Sequence, residues 1–171
     1  MNTAPYYTYP QFMRQFFAER IQKISVYPGF TCPNRDGKIS TGGCTFCDNA
    51  AFTPSYCDSA KSITQQIDEG IEFHEWRYKK SCEYLAYFQA YSNTYGPLDK
   101  MQRLYSEALS HPKVIGLVIG TRPDCIDSEK LDYLQQLSKE YYITVEYGIE
   151  SCYDKTLKTI NRGHDFQTTI E

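Results

Sequence analysis

The apolar positions of this chain switch between a helical and a strand period. Phe12, Phe16 and Ile21 stand near helical spacing and predict a first helix within residues 9–22. Ile24 to Tyr27 alternates apolar and polar residues, a short strand pattern that Pro28-Gly29 stops. A long loop rich in Gly, Asn, Asp and Pro covers residues 30–60. Ser62 is placed to cap a helix with Ile63, Ile67 and Ile71 on one face. Tyr84 to Phe88 predicts a buried strand, and Leu98, Met101, Leu104 and Ala108 predict the next helix. Val114 to Ile119 is an apolar run short enough for a parallel-sheet strand. Leu131, Leu134 and Leu137 mark a third crossover helix, and Ile143 to Ile149 a fourth strand. Two last helices begin near Asp154 and Phe166.

Strands separated by helices of this size imply βαβ units and a parallel sheet, hence an α/β fold. Right-handed crossovers place the loops after the strands on one rim, where parallel sheets bind ligands. The count of about four βα units is too small for a closed eight-unit barrel, and no capping signal follows Ile170-Glu171. The expectation is a partial (β/α) barrel, truncated after those units.

Composition narrows the classes. The 171 residues carry a net charge of −3, which gives no electrostatic case for nucleic acid or a membrane surface. No run approaches the roughly 18 apolar residues of a membrane span. The sixteen tyrosines are read as packing and half-buried surface. Seven cysteines, an odd number, argue for reduced thiols in a cytoplasm rather than a secreted disulfide framework.

Three of those cysteines lie in the long loop, as Cys32, Cys44 and Cys47, with C-x11-C-x2-C spacing. Closing the longer interval costs about 2 kcal/mol plus a constant, which iron–thiolate bonds can offset. Gly37, Gly42 and Gly43 permit positive φ and close backbone approach. Three ligands are informative. Four thiolates close a [4Fe–4S] cluster and leave it electron transfer. Three leave one iron open to an α-amino acid that chelates through amine and carboxylate. Two other readings stand beside this one: a four-cysteine zinc site that adds Cys57, and free structural thiols. Cys82, Cys125 and Cys152 fall in or beside predicted strands and read as small core residues.

The loop sequence Cys-Pro-Asn-Arg-Asp-Gly (32–37), followed by Gly-Gly-Cys-Thr-Phe-Cys (42–47), resembles the YhcC-like branch of the radical S-adenosylmethionine (SAM) superfamily. It is more distantly similar to the radical SAM domain of the elongator catalytic subunit and to oxygen-independent coproporphyrinogen oxidase. The likeness continues through Tyr87–Tyr91, Gly120–Asp124, Glu146–Ser151 and Asn161–Asp165. The resemblance implies a partial barrel of the radical SAM type, with residues 1–171 as the N-terminal portion of its core domain. It implies a [4Fe–4S] cluster held by Cys32, Cys44 and Cys47, with SAM as the second cofactor. By the same resemblance Phe46 lies near the adenine, Gln89 in the segment that meets the methionyl amine, and Glu150 and Ser151 at the ribose. Arg162 then reaches SAM; a planar guanidinium suits the methionyl carboxylate. The implied partners are a small electron donor of flavodoxin or ferredoxin type and an unknown substrate. The elongator relationship suggests RNA as that substrate, although the acidic balance gives it no support.

Thr121-Arg122-Pro123-Asp124 follows the third strand and reads either as a structural turn, with Asp124 or Asp127 capping the next helix, or as a polar cluster facing SAM or substrate. His74, His111 and His164 show no mutual metal spacing; His164, near Arg162, is a candidate for the substrate site.

Overall fold

The computed structural model describes residues 5–75 and 83–171. Four strands, β1 (Gln22–Val26), β2 (Tyr84–Phe88), β3 (Val114–Thr121) and β4 (Tyr142–Tyr147), form one sheet in the order β1-β2-β3-β4. Every neighbouring pair is parallel. Each crossover therefore advances one strand in the same direction, the arrangement of a barrel segment.

The crossover helices α2 (Ile63–Glu75), α3 (Leu98–Leu109) and α4 (Ser128–Leu137) supply the main core. Ile24, Phe88, Leu117 and Ile119 meet Ile63, Ile67, Met101 and Tyr105 there, all almost fully buried. Burying each such side chain is worth about 1.5–3 kcal/mol. Ser62 does cap α2: its Oγ accepts from the Gln65 amide at 3.0 Å, and the Gln65 side chain accepts from the Ser62 amide at 3.1 Å. Asp127, rather than Asp124, caps α4 by accepting from the Lys130 amide. Leu131 is 46% exposed, so only Leu134 and Leu137 of its predicted stripe reach the core.

The other sheet face carries a second, smaller apolar cluster. There Met13 of α1 (Tyr9–Met13) packs with Phe17 and Ile21 on Leu85, Val118 and Tyr142. The predicted first helix over 9–22 is thus far shorter. Thr8 starts it with a capping box, but after Met13 the chain turns and crosses the base of the sheet. Phe12 and Phe16 are exposed at 38% and 54%, and Phe16 instead sets its ring edge-on to Tyr142. A tertiary ring contact replaces helical continuation.

β4 ends at Tyr147, two residues before its predicted end, and α5 (Asp154–Thr159) and α6 (Phe166–Ile170) follow. Cys125 is buried as expected, but Cys152 is exposed. Glu150 takes a left-handed φ of 68° between β4 and α5, and Cys152 stands on that outward turn rather than beside a strand. Cys82 lies outside the described residues. Among the described residues no cysteine is disulfide-bonded, and no helix is long and apolar enough to cross a membrane.

Candidate metal and cofactor site

The long loop after β1 folds over the C-terminal rim of the sheet. The first turn is made by Arg35 and Asp36 amides donating to the Cys32 carbonyl, and the second by the Cys47 amide donating to that of Cys44. Gly43 bonds back to the Asn34 carbonyl with φ +84°, and a Cβ there would stand 2.8 Å from the Arg35 guanidinium. The positive φ is what calls for glycine at this position.

Cys32, Cys44 and Cys47 line one cavity of about 350 Å³, within the usual range for small-ligand sites. Phe46, Gln89, Glu150 and Arg162 line it with them. Ser151 does not; its hydroxyl accepts from the Tyr153 amide at 3.0 Å. The rim itself is braced by Asn93, whose side-chain amide donates to the carbonyls of Phe88 and Gly120, at 2.9 Å each.

Each sulfur has an arginine beside it. Arg122 Nη1 donates to Cys32 Sγ at 3.2 Å, and Arg162 Nη1 to Cys44 Sγ at 3.6 Å. Arg35 donates to the Cys47 carbonyl at 2.8 Å, and its contact with the Cys47 side chain raises the guanidinium pKa above the ordinary value. Asn34, fully buried, joins the set: its Oδ1 accepts from Arg122 at 2.7 Å, and its amide donates to the Asn161 carbonyl and lies 3.8 Å from Cys44 Sγ. Burial opposes the charge of Arg122, yet the bidentate bonds to Asp124, 2.8 and 2.6 Å, hold it firmly protonated. The segment Thr121–Asp124 is therefore both a structural turn and part of the cysteine site.

The loop after α5 closes the site from the far side. Thr45 donates to the Ile160 carbonyl, and Asn161 donates to Gly43 O at 2.9 Å and Ser40 Oγ at 3.1 Å. Arg162 donates to the Gly148 carbonyl, stands 3.6 Å from Glu150, and keeps its buried Nε without a protein partner. His164 is buried 3.6 Å from Asp124; burial lowers its pKa, Arg162 and Arg122 add to that, and Asp124 opposes it. His164 lines a separate cleft with Asp154 and Lys158, not the cysteine cavity.

The donor set fits a cluster. Among the described residues no three His, Cys, Asp or Glu side chains converge on a single ion. Ligands to separate corners of a cubane stand wider apart than ligands of one ion. Cys57, the fourth zinc ligand of the alternative reading, is absent from the cavity lining. Its thiol donates to the Ser25 carbonyl at 3.2 Å, and burial pushes its pKa up to about 12.

On the same sheet face as Leu85 and Val118 lies a cluster that sequence reasoning did not single out. Glu146 accepts from Tyr87 and from Lys23, both at 2.7 Å, and Lys23 stands 4.6 Å over the Tyr87 ring. Both Tyr87 and Glu146 line the cavity, beside Gly120, the register partner of Glu146 on β3. Strand parity would have placed Lys23, Tyr87 and Glu146 on the face opposite Ile24, Phe88 and Val145. It would not have shown that they meet.

A family model described as the radical SAM superfamily matches residues 27–171. The chain is 38% identical to the Bacillus subtilis protein YtqA over 170 residues, 97% of this chain and 51% of that protein. It is 38% identical to Escherichia coli YhcC over 151 residues, 88% of this chain and 47% of that one. A 28% identity over 101 residues links it to a tRNA uridine(34) acetyltransferase of Methanocaldococcus infernus, covering 59% of this chain and 17% of that protein. The chain spans about half the length of the YtqA and YhcC proteins.

Proposed function

Because this chain belongs to the radical SAM superfamily, we propose that it is the cluster-binding part of an enzyme that uses a [4Fe–4S] cluster and SAM to abstract hydrogen from a substrate. The observation that carries the reading is the meeting of Cys32, Cys44 and Cys47 in one cavity with Glu150 and Arg162. When bound, cluster and SAM would supply one-electron reductive cleavage and radical hydrogen abstraction, chemistry that belongs to the cofactors rather than to the side chains.

The residues of the chain divide the remaining work. Cys32, Cys44 and Cys47 would hold the cluster, and with three protein ligands one iron would stay available to SAM. Arg162, with a buried Nε free of protein partners, offers a donor to that carboxylate. Glu150, on the rim past β4, suits ribose hydroxyls. Phe46, half exposed at the cavity mouth, offers a face to adenine, and Gln89 lies where the amine would enter. The electron comes from a small donor of flavodoxin or ferredoxin type. A reducing cytoplasm is the compartment that keeps these thiols available.

The test is electron paramagnetic resonance of the anaerobically reconstituted, reduced intact protein. SAM is expected to change the cluster signal. Zinc in place of iron, or a cluster signal indifferent to SAM, would rule the proposal out.

A further inference from the structure

We infer that Arg122 sets the reduction potential of the cluster by donating to the sulfur of Cys32. The inference rests on the cluster reading above and concerns a residue with no assigned part in it. Arg122 is 2% exposed, the largest of the fully buried side chains. Two of its nitrogens are spent on Asp124. The third, Nη1, points away from that carboxylate to Cys32 Sγ at 3.2 Å and Asn34 Oδ1 at 2.7 Å. Asn34 in turn holds the Cys44 side of the loop, so the guanidinium is locked relative to both sulfurs.

A buried ion pair seldom raises stability over apolar packing of the same volume. What Arg122 does beyond folding is place a cation and an N–H on a thiolate. Hydrogen bonds to cluster sulfurs and nearby charge are among the factors that set the potential. Reduction adds one electron and one negative charge to the cluster, and the donor stabilises the reduced state more than the oxidised one. The net effect of Arg122 is to raise the potential and ease the uptake of that electron from a low-potential donor. Asp124 pulls the other way, being a carboxylate 2.6 Å from the same guanidinium. Arg122 acts through Cys32 and is a positioning residue, not one that meets substrate.

The experiment is a potentiometric titration of the anaerobically reconstituted intact protein without SAM, with iron and sulfide measured on the same samples. Arg122→Gln is expected to keep its iron and to disfavour reduction about tenfold, a shift of about 59 mV to lower potential for one electron. Arg122→Lys should recover part of that shift, since it restores the charge but not the fork. Asp124→Asn should move the potential upward. Wild-type potentials in all variants with full iron would overturn the inference and leave the cluster reading standing. A wild-type protein that takes up no iron and sulfide would overturn both. Should Arg122→Gln lose its iron, Asp124→Asn decides: an upward shift supports the inference, and no shift or a downward one overturns it.

Discussion

Arg162 and Cys44, 118 residues apart in the chain, meet with Nη1 3.6 Å from Sγ. The contact ties the loop after α5 to the loop after β1, and it closes the ring of residues around the cysteine cavity. The same arginine also stands 3.6 Å from Glu150, so one side chain touches the metal side and the nucleotide side of the proposed site.

That position yields the first prediction. Arg162→Lys keeps the charge and loses the planar fork. SAM binding to the intact protein is expected to weaken by roughly 1–3 kcal/mol, the range of a charge-assisted hydrogen bond. Iron content should not change. Isothermal titration with SAM, beside iron analysis and a melting curve, checks this; unchanged affinity with a lowered Tm would make Arg162 a structural ion-pair residue only.

The cysteines give the second. Replacing Cys32, Cys44 or Cys47 by alanine should abolish uptake of about four irons and four sulfides per chain. Cys57→Ala should retain them, because Cys57 bonds to Ser25 outside the cavity. Loss of metal on removing Cys57 would revive the zinc alternative.

Gly163 gives the third. Its φ is +84°, and a Cβ there would stand 2.5 Å from Asn34 Oδ1 and 3.2 Å from Arg122 Nη2. Gly163→Ala should destabilise the fold by about 1–3 kcal/mol, the cost of a strained left-handed residue. It should also lower cluster retention, because Asn34 and Arg122 both have to move. Urea unfolding and iron analysis of the variant report the two effects separately.

The fourth concerns pH. Burial pushes the Cys57 thiol from an ordinary 9.0 up to about 12. The unfolded chain then releases this proton first. The contribution of Cys57 is therefore fully present below pH 9 and is lost as pH rises toward 12. Stability of Cys57→Ser, which cannot ionise there, should fall less steeply between pH 8 and 10 than that of the wild type in parallel urea unfolding. Equal slopes would show that the thiol titrates normally.

Much of this molecule was legible in the chain itself. β2 and the buried face of α2 fall where their apolar residues predicted, since a strand or helix face is a local period that neighbouring residues carry together. The cysteine loop was legible for a similar reason: its spacing and glycines lie within one short segment. Phe12 and Phe16 misled because helical spacing says nothing about whether a sheet stands ready to receive that face.

What only the tertiary structure decided are the pairings between distant residues. Arg122 lies 90 residues from Cys32, and Lys23 lies 123 from Glu146. Whether such side chains meet depends on strand register, on the curvature of the sheet and on how one loop docks on another. No local period encodes these. The sequence by itself determined the parallel α/β segment and the three-cysteine loop; tertiary structure decided that a buried arginine meets the first of these cysteines, because the cost of burying that charge is met only where Asp124, Asn34 and Cys32 converge on it.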